Sequence, residues 1–169
     1  MKFKEISPYE LENASKLIGK DWMLITARDG NGANAMTASW GCMGVLWNKP
    51  VAVGFVRPQR YTFSLTEKEE RISLAFLDEK YREALTLCGT KSGRDCDKLS
   101  LAGLSTEELC GVPVISEARL VLVCRKLYVG DLEENGFFDK ALLSNYKNRD
   151  YHRMYVWEIE HAYKENDGE

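Results

Sequence analysis

The chain of 169 residues is short of several things, and each shortage removes a class of function. It has two histidines, His152 and His161, too few and too far apart to suggest a zinc site. Its five cysteines (Cys42, Cys88, Cys96, Cys110 and Cys124) are odd in number and include no CxxC pair, so they read as reduced, mostly buried thiols rather than a disulfide framework. No long basic run accompanies the formal charge of −3, which argues against nucleic acid as a main partner. The longest uncharged run, Gly30 to Asn48, is interrupted by Asn, Gly, Thr and Ser and does not read as a membrane-spanning helix. The N-terminal residues Met1 to Glu5 lack the apolar core of a secretion signal, so a cytoplasmic location is the expectation. No Ser-His-Asp or Cys-His arrangement is recognisable.

What is present is ordinary globular material, 44% hydrophobic and 29% charged, and one domain is expected over 1–169. Its core should lie at about 20–160, with 164–169 as a solvated acidic tail. Ser7, Pro8 and Glu10 form a capping box, and Leu11, Ala14, Leu17 and Ile18 repeat along one face, which predicts a first helix stopped by Gly19. Strands are predicted at Trp22–Ala27, Asn34–Trp40, Val51–Val56, Arg71–Leu77, Glu117–Val129 and Met154–Ile159. The Asp-Gly and Asn-Gly steps in Arg28 to Gly32 make the first two a hairpin. Helices are expected near Thr62–Glu69 and Lys80–Leu87, with loops at Gly89–Asp97 and Gly111–Pro113 and an irregular or helical stretch at Gly136–Leu143. The sum is a mainly β, β-rich α+β chain: a closed sheet with a few covering helices.

Gly30-x-Gly32-x-x-Ala35 follows a strand and formally matches the dinucleotide fingerprint. The next residues alternate like a strand instead of opening a helix, and Pro50 to Val56 carries no acid to hold a ribose, so the match is rejected.

Three clusters carry candidate chemistry. Asn34-Ala35-Met36-Thr37-Ala38-Ser39-Trp40 offers hydroxyls at Thr37 and Ser39 on one face, beside small residues that let a flat ring approach. Read without a ligand, it is an amphipathic strand with solvated hydroxyls. Arg57-Pro58-Gln59-Arg60-Tyr61-Thr62-Phe63-Ser64 joins arginine and hydroxyls to a helix start, as a phosphate requires; a capped surface turn explains the same residues. Ser92-Gly93-Arg94-Asp95-Cys96-Asp97-Lys98 is a charge-dense glycine loop, or a solvated helix start.

The order of these clusters resembles the flavin reductase-like family of FMN-binding split-barrel proteins, above all its flavoredoxin-like branch. The pattern is N-x-M-T-x-S-W (Asn34 to Trp40), a proline-led strand (Pro50 to Val56), R-x-Y-T (from Arg60) and S-G-x-D-x-D-K (Ser92 to Lys98). A Gly-x-Pro turn and a strand like Ala118 to Cys124 follow, and the likeness covers roughly Trp22 to Gly130. It implies FMN, with Asn34, Met36, Thr37, Ala38, Ser39 and Trp40 around the ring and ribityl chain. It implies a phosphate held by Arg60, Tyr61, Thr62 and Ser64, and Ser92, Gly93 and Lys98 beside the flavin. It also implies NAD(P)H as hydride donor, a small-molecule or redox-protein acceptor, a homodimer with its site near the subunit interface, and no nucleic-acid or membrane partner. An electron carrier without its own NAD(P)H site is the alternative. A thiol role for Cys88 or Cys96, which flank the glycine loop, is a further expectation to test.

Overall fold

The computed structural model describes residues 2–30 and 32–166. The described residues form ten strands and four helices, with 3₁₀ turns in several of the connections. The strands are β1 (Phe3–Ile6), β2 (Met23–Asp29), β3 (Gly32–Ala38), β4 (Gly41–Leu46), β5 (Lys49–Val56), β6 (Arg71–Phe76), β7 (Thr106–Leu109), β8 (Val112–Ile115), β9 (Leu120–Asp131) and β10 (Arg153–Glu165). The helices are α1 (Ala14–Lys16, continued by a π turn at Leu17–Asp21), α2 (Tyr61–Lys68), α3 (Arg82–Thr90) and α4 (Lys98–Leu101). Among the described residues no helix is long and apolar enough to cross a membrane.

The main sheet is antiparallel in the order β3-β2-β6-β9-β10-β5-β4, with β1 pairing with the distal half of β10. Its two outer strands, β3 and β4, are consecutive in sequence and joined only by Ser39-Trp40, so the chain itself draws the sheet edges together. That closure makes the split barrel. Met23, Ile25, Met36, Leu74, Leu122 and Trp157 fill its interior. The opposite face, with Leu24, Ala35, Ala75 and Val121, packs on α3 and the β7–β8 hairpin through Leu85, Cys88 and Val114. Alternation along each strand assigns successive side chains to these two cores.

Two glycines open the barrel for its largest residues. Trp157 stacks on Tyr155 with ring centroids 5.1 Å apart, and a Cβ on Gly54 would lie 2.6 Å from the Trp157 ring. Gly41, paired with Gly54, would likewise bring a Cβ to 2.5 Å from the Val53 carbonyl oxygen.

Several expectations are corrected. The capping box at Ser7 and Glu10 is present, but it caps a single 3₁₀ turn, Pro8–Glu10. Leu11 is extended and Asn13 is left-handed (φ 55°), so the chain turns before α1 begins, and Gly19 lies inside the π turn without ending a helix. Loop Gly89–Asp97 is shorter, because α3 runs to Thr90. The loop expected at Gly111–Pro113 is a turn at Cys110 and Gly111; Val112 and Pro113 belong to β8. The closing strand runs to Glu165, so Lys164 and Glu165 pair with β1 instead of forming a free tail; Asp167 to Glu169 lie outside the described residues.

Candidate functional site

The site is built along β3. Its alternation sends Asn34, Met36 and Ala38 toward the barrel interior and α2, while Ala35 and Thr37 face α3. Thr37 therefore does not share a face with Ser39: its hydroxyl donates to the Leu85 carbonyl of α3, whereas Ser39, in the link after the strand end, lies with Met36 and Ala38. The expectation of a common hydroxyl face fails because strand alternation stops at Ala38.

At one end of β3, the start of α2 and the glycine loop form an anion-friendly corner. Asn34, buried, donates to the Thr62 hydroxyl (2.8 Å), and the Tyr61 hydroxyl donates to Asp29 (2.8 Å). Ser64 donates to the Tyr61 carbonyl (2.9 Å), so its hydroxyl is engaged within the helix. Arg60 is the N-cap residue but supplies no side-chain cap, which leaves the first-turn N–H groups of Tyr61 and Thr62 without a capping side chain. Gly93 sits against Asn34: a Cβ there would lie 2.3 Å from Asn34 Oδ1 and 2.7 Å from the Tyr61 ring. The Ser92 hydroxyl accepts the Arg94 N–H (3.2 Å), and the Arg94 guanidinium lies over the Tyr61 ring at 5.3 Å.

Two buried or half-buried cations converge on this corner. Arg60 donates to the carbonyls of Gly89 (2.6 Å) and Cys88 (3.3 Å), and Lys98 donates to those of Cys88 (3.2 Å) and Lys91 (3.3 Å). The carbonyl end of the α3 dipole holds both in place. Neither has a carboxylate within ion-pair distance among the described residues, although Lys98 is only 3% exposed. Burial, then repulsion from Arg60, lowers Lys98 to about 8. Burial pushes the Cys88 thiol up despite both cations, which leaves it protonated and a poor nucleophile; Cys96 donates to the Ser92 carbonyl (3.6 Å).

At the other end of β3, roughly 13 Å away by strand rise, is a cleft of about 170 Å³ lined by Met36, Ala38, Ser39, Trp40, Phe55, Arg57 and His152. Trp40 is 47% exposed and its ring lies 5.3 Å from that of His152; Phe55 meets His152 edge-on at 6.3 Å. His152 Nδ1 shares a hydrogen bond of 2.8 Å with the Tyr146 hydroxyl, and burial with the nearby Arg57 charge depresses it to about 4, so it is neutral near pH 7. Arg57 is tied to Asp150 at 2.5 Å. Phe55 and His152 were not singled out from sequence as site residues. The signal was the pairing register: Arg153 opposite Val56 carries His152 to the Arg57 end of β5.

The structure thus gathers Asn34, Arg60, Tyr61, Thr62, Gly93 and Lys98 in one corner and Met36, Ala38, Ser39 and Trp40 in the cleft. Thr37 and Ser64 turn their hydroxyls into backbone bonds. No cluster of three or more His, Cys, Asp or Glu suited to a metal occurs among the described residues.

Comparison with known proteins agrees with this architecture. The family model described as "Flavin reductase like domain" matches residues 16–169. The FMN-binding domain of a flavin reductase-like enzyme from Shewanella baltica OS155 is 18% identical over 96% of this chain and 77% of its own, with a TM-score of 0.71. Flavoredoxin from Methanosarcina acetivorans is 25% identical over 86% of this chain and 69% of its own, with a TM-score of 0.67. An FMN-binding protein from Thermus thermophilus, with bound p-hydroxybenzaldehyde, is 20% identical over 85% and 70%, with a TM-score of 0.66. A search of curated protein sequences gives no match.

Proposed function

We propose, from the premise that the chain belongs to the flavin reductase-like domain family, that it binds FMN along β3 and passes hydride from NAD(P)H to a flavin or small acceptor. The observation that carries this reading is the corner of carboxylate-free cations at the start of α2. Arg60, Lys98 and the first-turn N–H groups are a donor set for a phosphate dianion, and Gly93, having no side chain, lets the glycine loop pack directly on Asn34 and the Tyr61 ring beside them. Asn34 and the Met36–Trp40 stretch would line the ring, with Thr37 fixing β3 to α3 from behind.

When bound, FMN supplies the hydride-accepting centre. The protein's part is to bind and orient. The Trp40–Phe55–His152 cleft offers a flat apolar wall to a planar donor, and neutral His152 adds no charge to oppose it. Steady-state oxidation of NADH and NADPH by the FMN-loaded protein tests the reading. Turnover with neither, in a preparation that shows the flavin absorbance bands, would leave the electron carrier instead.

Lys98 makes phosphate binding pH-dependent in a defined direction. Its folded value lies below the ordinary lysine value, so the cost of burying its charge is present below about pH 8 and is relieved as pH rises toward 10.5. The phosphate needs that charge. FMN affinity should hold from pH 7 to 8 and fall above it, by up to about tenfold per pH unit, while riboflavin affinity stays flat over pH 7–9. Fluorescence titration with both flavins measures this, and a K98M variant should remove the FMN dependence.

The functional unit in this reading is a homodimer. The β4–β5 hairpin turns on Trp47 (φ 53°) and Asn48 (φ 57°), both in the left-handed region, and bulky tryptophan is an unfavourable choice there. It presents Trp47, 56% exposed, beside Tyr128, with Val45 and Val129 also exposed. Light scattering should give a dimer for the native chain and a folded monomer for W47E; a monomeric native chain would overturn the assignment.

A further inference from the structure

His152 lines the Trp40 cleft, and its ring is held from several directions. Besides the contacts with Trp40 and Phe55, Tyr146 meets it edge-on at 5.5 Å while sharing the hydrogen bond to Nδ1. Tyr146 is fixed in turn: it is buried, its ring lies 4.9 Å from that of Tyr151, and the Arg57 guanidinium sits 5.1 Å from the ring centre. The main chain is pinned as well, since the Leu132 N–H donates to the His152 carbonyl (3.0 Å).

The direction of the Tyr146–His152 bond decides what the other ring nitrogen offers. A phenol is the stronger acid of the two, and its oxygen, conjugated with the ring, is a poor acceptor; the bare imidazole nitrogen is much the stronger base. Tyr146 therefore donates and Nδ1 accepts, which places the ring hydrogen on Nε2. Nε2 has no hydrogen-bond partner among the described residues. The one buried side-chain nitrogen or oxygen left without a partner among them is the Thr26 hydroxyl, so Nε2 is open, an oriented N–H donor on the cleft. The apolar walls there are Met36, Ala38, Trp40 and Phe55. The charge of Arg57 is already paired with Asp150, and its guanidinium also donates to the Asn145 carbonyl (3.0 Å), so the cleft has no cation to spare for an anion. At about 170 Å³ it has room for one small ring, since a cavity of about 150 Å³ admits benzene.

We propose that the cleft selects a flat, neutral, conjugated carbonyl compound, held by its oxygen on the His152 Nε2–H, with Tyr146 as the positioning residue that keeps the hydrogen on that nitrogen. The proposal rests on the flavin reading above only in making that compound a partner in hydride transfer. The same oxygen is carried by an oxidised acceptor such as a quinone and by the carboxamide of the hydride donor, and the two sources are separable by experiment.

The test uses the full chain and two ligands of one shape, benzaldehyde and styrene, of which only the first has the oxygen. Calorimetry on the FMN-loaded protein should show benzaldehyde binding about three- to tenfold tighter than styrene, the effect of one hydrogen bond between neutral groups. H152Q, whose amide nitrogen reaches the place of Nε2, should keep that preference; H152F should lose it and bind styrene as before. Nitrogen NMR of the imidazole should show the hydrogen on Nε2 in the native chain and on either nitrogen in Y146F, a change that a purely structural tyrosine would not produce. If the acceptor is the source, H152F raises KM for duroquinone and leaves KM for NADH as it was. If the hydride donor is the source, H152F raises KM for NADH alone, and free nicotinamide binds more weakly to it. The proposal is overturned if the native chain does not distinguish benzaldehyde from styrene, if H152F still does, or if the native hydrogen lies on Nδ1. Should FMN itself fail to bind, the flavin reading falls, and the ligand pair and the NMR on the flavin-free chain still decide the cleft.

Discussion

Replacing Arg60 by alanine should weaken FMN binding about ten- to a hundredfold and leave riboflavin affinity nearly unchanged. Arg60 is held by the Gly89 and Cys88 carbonyls, and no acid neutralises it among the described residues, so its charge is available to a phosphate. A charge-assisted hydrogen bond contributes about 1.5–3 kcal/mol, and about 1.4 kcal/mol corresponds to tenfold in affinity. Arg60 also closes the end of α3, so R60A has a structural cost as well, readable as a lower melting temperature of the apoprotein. The comparison of the two flavins separates these effects, since the structural cost falls on both ligands and the lost charge falls on FMN alone. Equal losses for FMN and riboflavin would show that Arg60 serves only the helix end. R60K keeps the charge but not the planar fork, and should lie between alanine and the native residue.

The second large effect is expected at Gly93. In G93A the new methyl would overlap Asn34 Oδ1 and the Tyr61 ring, both set by hydrogen bonds to partners of their own. Either the glycine loop moves outward, or Asn34 lets go of Thr62 and leaves a buried amide and hydroxyl unpaired. Overpacking costs about 1–3 kcal/mol, and a buried polar group left without its partner about 1–3 kcal/mol. G93A should therefore lower the melting temperature by several degrees and reduce FMN affinity more than tenfold. G89A is the control. Its Cβ would meet Thr37 at 3.4 Å, an ordinary contact, and alanine is the better helix former, so stability should hold or rise. A stable G93A with native FMN affinity would show that the loop has slack and does not shape the site.

Much of this was legible in the sequence wherever local chemistry and tertiary structure agree. Strands β2 and β3 do pair as a hairpin, with Asp29 opposite Gly32, and β5, α2, β6 and β9 lie close to their expected places. The three clusters that looked chemical do meet on β3. What was not legible is non-local. Strand β1 exists because Phe3 to Ile6 find the far end of β10 more than 150 residues away, and nothing within the segment announces it. Strand β4 is exposed along most of its length and carries no alternation to read. The end of β10 was hidden by the irregularity at Ile159/His161, where the additional residue Glu160 shifts the register and breaks the strand's period of two. The His152 cleft depended on that strand's register and so could not be placed before it.

The position of β10 has a consequence for how the chain reaches this state. It is the most C-terminal strand, yet it lies in the middle of the sheet between β9 and β5 and also carries β1. During synthesis, which adds about 5–20 residues per second, β5 waits for its inner neighbour while roughly a hundred residues are added. Until then its apolar edge has only β4 beside it, and the nucleus must close a very long loop. Folding should accordingly be slow for the domain's size, and the half-made sheet is the stage at which the chain is most open to aggregation and to chaperones.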